Sequence, residues 1–135
     1  MQSRRWFLGS VAAMALMAPR WSFAMQNIKC VVVDRKLRAE WTEGASVFLE
    51  RTTGAIESVK TEAGLPPRYS DRLQGFIQTT RETGERIETP ELRETFGRVA
   101  RNLSENAERL KGARQAAGRL EALQNIRRIL KKHIS

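Results

Sequence analysis

One cysteine and one histidine stand in 135 residues, and each scarcity removes a class of chemistry. With Cys30 alone, no disulfide can form within the chain, and no Cys-x-x-Cys or Cys/His spacing exists for zinc or covalent haem. Ile28, Val31, Val32 and Val33 surround that thiol in sequence, so it is expected to be buried as a small apolar group. His133 lies close to the end of the chain, a poor place to preorganise a Ser-His-Asp or Cys-His pair. A di-iron bundle needs Glu-x-x-His on two helices, and the chain has neither. A b-type haem would have only His133 and Met25 beyond residue 24 as side-chain ligands. Acids are plentiful, but Glu82, Glu85 and Glu88 read as a solvated helix face rather than as paired carboxylates. No catalytic, metal or cofactor residue is therefore expected, and the chain does not read as an enzyme. Hydrophobic residues at 41% suffice for a core, and a charged fraction of 29% is ordinary for a soluble domain.

Acid is also missing from the start, since none precedes Asp34. Arg4 and Arg5 make a positive n-region, Trp6 to Ala18 an apolar core, and Ser22-Phe23-Ala24 a small-residue junction, with cleavage expected after Ala24. The apolar core is shorter than the roughly 20 residues a membrane-spanning helix needs, so a cleaved signal is favoured over an anchor. Ser3-Arg4-Arg5-Trp6-Phe7-Leu8 resembles the twin-arginine motif S-R-R-x-F-L-K of bacterial Tat signal peptides, with Gly9 in place of the lysine. The mild core and the positive charge at Arg20 are also typical of that class. The resemblance implies recognition by the Tat translocase through Arg4, Arg5, Phe7 and Leu8, export to the periplasm in the folded state, and often a cofactor on the passenger or its partner. Residues 25–135 are then the mature chain, a single domain.

That chain opens on "MQNIKCVVVD". The β-branched run from Ile28 to Val33 predicts a short strand or extended arm over 25–34. It resembles the first strand of Rho-type small GTPases, but the phosphate loop G-x-x-x-x-G-K-[ST] that must follow is replaced by Asp34-Arg35-Lys36-Leu37. From Arg35 the period becomes helical: Leu37, Trp41, Ala45, Phe48, Thr52, Ile56, Val59 and Ala63 fall three or four apart and share one face. Asp34 is the expected N-cap, Gly64 the C-cap, and Pro66-Pro67 the stop. A second helix is expected over Ser70–Arg86, with Leu73, Phe76, Ile77 and Thr80 inward. Thr89 then caps a third, with Pro90 at its first position. Its seam, Phe96, Val99, Leu103, Asn106, Leu110, Ala113, Ala117 and Leu120, is coiled-coil-like, and Asn106 is a polar register device within it. After Leu120 the phase slips, and Gly112 and Gly118 flank a predicted bend. The fold class is all-α, an antiparallel bundle of three helices, or four if the last one breaks between Gly112 and Gly118.

Charge is concentrated at the end. Residues 25–108 carry 13 basic and 14 acidic side chains, whereas 109–135 carry eight basic residues against Glu121 alone. Arg119, Arg127, Arg128, Lys131 and Lys132 form the candidate binding face, backed by Leu120, Leu123, Ile126, Leu130 and Ile134. An acidic partner protein is the first reading of this face. An anionic membrane surface taking the apolar stripe is the second. A subunit or carrier serving a cofactor-containing exported complex is the third, and export leaves nucleic acid the least favoured target.

Overall fold

The computed structural model describes the backbone over residues 12–134 and the side chains over 32–134. The export-signal residues Arg4, Arg5, Phe7 and Leu8 lie outside the described residues, and so do the side chains of Ala24 and Cys30. Four helices follow one another: α1 (Ala12–Lys60), α2 (Tyr69–Arg86), α3 (Pro90–Gly112) and α4 (Ala116–Ile134). Among the described residues there is no strand. Short connections make chain neighbours antiparallel. Helix α1 packs on α2 and α4, and α3 packs on the same two, so the four close a ring with α1 and α3 on one diagonal. No helix among the described residues is long and apolar enough to cross a membrane.

The extended arm expected over 25–34 is instead part of α1. A β-branched residue costs a helix only about 0.5 kcal/mol. A lone strand with nothing to pair it leaves its backbone groups without partners, and the helix satisfies them internally. Asp34 consequently sits inside α1 and cannot cap it. Its carboxylate is 4% exposed and reaches across to the turn before α3. It accepts from the Glu88 N–H and the Thr89 N–H, each at 2.8 Å, and from the Thr89 hydroxyl. Thr89 does occupy the N-cap position of α3, but its hydroxyl is turned to Asp34 and makes no capping bond. Burial would raise the Asp34 pKa. The bonds from Glu88 and Thr89, with the Arg93 charge, outweigh it and hold the carboxyl below its usual 3.8. Next to this contact Ile87, a turn residue, is fully buried, and its carbonyl accepts from Arg93 Nε at 2.9 Å.

The predicted stripe of α1 is buried at Leu37, Trp41, Ala45, Phe48, Thr52, Ile56 and Val59. Ala63 is exposed, because α1 stops at Lys60. The stop is a Schellman closure: the Ala63 N–H bonds to the Ser58 carbonyl and the Glu62 N–H to that of Val59. Glu62, with φ 65°, takes the left-handed position expected of Gly64, which has φ 84° two residues later. The core is aromatic at its centre. Phe48 stacks on Tyr69 and Phe76 at 5.3 and 5.2 Å, and Trp41 meets Phe96 edge-on at 5.4 Å across the α1–α3 diagonal. Polar atoms there are paired. Trp41 Nε1 donates to Thr80 Oγ1 at 2.9 Å, and Thr80 donates to the Phe76 carbonyl at 2.8 Å. Thr52 spends its proton on the Phe48 carbonyl, so the Tyr69 hydroxyl is the donor in the 2.8 Å contact between the two side chains.

Candidate functional site

The bend predicted between Gly112 and Gly118 is a full break: residues 113–115 are not helical. Ala113 is extended, with φ −73° and ψ 126°. The turn is tight, since a Cβ at Gly118 would stand 3.2 Å from that of Ala113. The α3 seam is therefore buried only to Leu110, and Ala117 is exposed. The break lets α4 fold back, where it buries Ala122, Leu123, Ile126 and Leu130.

Asn106 joins the two helices. Its Nδ2 donates to the Asn102 carbonyl at 2.9 Å, and its Oδ1 accepts from Asn125 Nδ2 of α4 at 3.1 Å. Asn125 Oδ1 in turn accepts from Arg128 Nη1 at 2.9 Å. The polar interruption in the seam thus sets the register of α4 against α3 and anchors one arginine of the candidate face.

The five predicted cations separate into two groups. Arg128, Lys131 and Lys132 are exposed and Arg127 is half-buried, all on the last turns of α4. Arg119 lies eight residues before Arg127, about 12 Å along the axis. It is half-buried and directs Nη2 to the Arg114 carbonyl at 3.5 Å. It belongs to the α3–α4 turn, not to the outer face.

Position along α4 also reveals what periodicity alone does not. His133 stands seven residues after Ile126, on the inward stripe, and lines a cavity of about 230 Å³ between α1, α3 and α4. Trp41, Leu92, Phe96 and Val99 form its apolar wall, with Arg38 and Thr95 beside His133. Partial burial lowers the His133 pKa below its usual 6.5, and the charges of Lys132, Arg98 and Arg38 lower it further. Cations from three helices therefore converge at this end of the bundle. Arg98 is 4.0 Å from Glu94, an exposed pair one turn apart, whereas Arg38 has no carboxylate partner among the described residues. The spacing of Arg38 and Arg98 on their own helices carries no trace of this convergence, which exists only once α4 folds back. The chemistry offered is donor hydrogen bonds and positive charge over apolar and aromatic surface. No protein-family model matches the chain, and no curated protein or solved structure is significantly similar to it.

Proposed function

We propose that this is a small, non-enzymatic helical bundle, exported by the twin-arginine route to the periplasm, which binds an acidic partner protein through the outer face of α4. The contact residues are Arg127, Arg128, Lys131 and Lys132. The observation that carries the reading is the imbalance of one helix. Helix α4 holds five basic residues and one acid, while α2, of similar length, holds three of each. The apolar stripe of α4 is spent on the core, with Leu123, Ile126 and Leu130 fully buried. What faces outward is charge, which steers an acidic protein surface and fixes its orientation. A helix lying in a lipid interface would have to bury that same stripe in the bilayer, so this reading would require α4 to leave the bundle.

The test is a protein with Arg127, Arg128, Lys131 and Lys132 all changed to Gln. A partner captured from periplasmic extract by the parent chain, then purified and titrated against both proteins, should bind the variant at least about tenfold more weakly. The salt dependence should flatten too, because these charges act over about 8–10 Å at ordinary ionic strength. Equal binding of that partner by both proteins would refute the reading. Loss of binding to phosphatidylglycerol vesicles, with partner binding intact, would replace it by the lipid one.

A further inference from the structure

The cavity beside His133 is not part of the outer face of α4, and its composition is specific. Its wall is apolar and aromatic: the Trp41 and Phe96 rings meet edge-on at 5.4 Å, and Leu92 adds aliphatic surface. Its rim offers the Arg38 guanidinium from α1 and the His133 imidazole from α4, while the Thr95 hydroxyl of α3 spends its proton on the Glu91 carbonyl at 3.0 Å. A void of about 230 Å³ is below the roughly 300–1,000 Å³ of sites for drug-sized ligands, so the occupant is small. A guanidinium with no carboxylate partner among the described residues, beside an apolar slot, selects a planar anion with an apolar tail, since Arg binds a carboxylate in a two-pronged contact.

We propose that this cavity is a binding site for a small amphipathic carboxylate, with its tail against Trp41, Leu92 and Phe96 and its head group on Arg38 and His133. The site is independent of the partner-binding reading, since none of the four cations proposed for that face lines it. Trp41 makes it observable. Its indole N–H is held by Thr80 at 2.9 Å, so a ligand against the ring shifts a resolved amide-type resonance without competing for that proton.

The experiment titrates the isotope-labelled full chain with octanoate, octanol and octylammonium, which share a tail and differ in head charge, and follows the assigned Trp41 indole and His133 resonances. Octanoate should move both and bind about tenfold more tightly than octanol, the worth of a hydrogen bond to a charged group. Octylammonium should bind most weakly. Arg38→Gln should cost most of the octanoate advantage and leave octanol unchanged, and Arg38→Lys should restore part of it. Arg38 is exposed and outside the core, and an unchanged thermal midpoint checks that each variant is folded. Equal affinity for all three probes would overturn the proposal, as would octanoate binding that leaves Trp41 unmoved or is insensitive to Arg38→Gln.

Discussion

Helices α2 and α4 are nearly the same length and each lays one face into the core: Leu73, Ile77 and Thr80 from one, Leu123, Ile126 and Leu130 from the other. Their outer faces differ. On α2 the three cations are matched by Asp71, Glu82 and Glu85; on α4 only Glu121 opposes five. Since the same bundle accommodates both, folding does not require the imbalance. The inner faces answer to packing, which leaves the charge of the outer faces free to differ. The ends of the two helices differ as well. Asp34 fastens the turn that follows α2, whereas α4 ends in Lys131, Lys132 and His133 beside an open cavity.

If the inner faces are equivalent, Leu73→Ala and Leu123→Ala should each cost about 2–5 kcal/mol in urea unfolding, with Leu103→Ala in α3 in the same range. A cost below about 1 kcal/mol for Leu123→Ala alone would mean that α4 is only loosely docked, and the comparison would fail. Next in size is the fastening of α2. Asp34→Ala leaves the Glu88 and Thr89 N–H groups without their acceptor and should cost about 2–3 kcal/mol, read from the same denaturation curves.

The two ends should also separate under acid. His133 has a folded pKa below its usual 6.5, so the unfolded chain takes the proton more readily, and stability should decline as pH falls through and below that value. Asp34 has a folded pKa below 3.8, so its contribution is present above 3.8 and is lost as pH falls further. Thermal midpoints against pH should show both declines. His133→Gln should remove only the upper one and Asp34→Asn only the lower.

Smaller effects sharpen the contrast. Glu62 holds a left-handed conformation at the turn leading to α2, and Glu62→Gly should stabilise the protein by about 0.5–1 kcal/mol, with the strain relieved partly offset by a looser unfolded chain. Smallest of all is the response of the fold to the four-Gln variant of α4. Its stability should stay within about 0.5 kcal/mol of the parent, although Arg128 loses its bond to Asn125. A larger loss in calorimetry would make the basic face structural and dissolve the distinction between the inner and outer faces of α4.

Periodicity alone identified the inward residues of α1 from Leu37 to Val59, the limits of α2 to within one residue and the polar interruption at Asn106. These are local facts: a repeat of three and four places side chains on one face of a helix whatever surrounds it. Asp34 had the right chemistry for a cap, but it fastens the turn between α2 and α3 instead, because its neighbours in space are Glu88 and Thr89 and not the start of its own helix. The β-branched run before it read as a strand because propensity is a weak preference, overridden where a strand would have no partner. Glu62 took the left-handed position expected of Gly64, since the bonds that close α1 fall at Glu62 and Ala63. Arg38 and His133 meet only because the chain breaks at residues 113–115 and returns. The sequence by itself determined the all-α class, the buried faces of α1 from Leu37 to Val59 and of α3 up to Leu110, and the surplus of charge at the end, all set by spacing within a few residues. Only the tertiary structure decided what Asp34 fastens, where Arg119 lies and what lines the cavity, because those depend on groups brought together across the whole chain by the packing of the core.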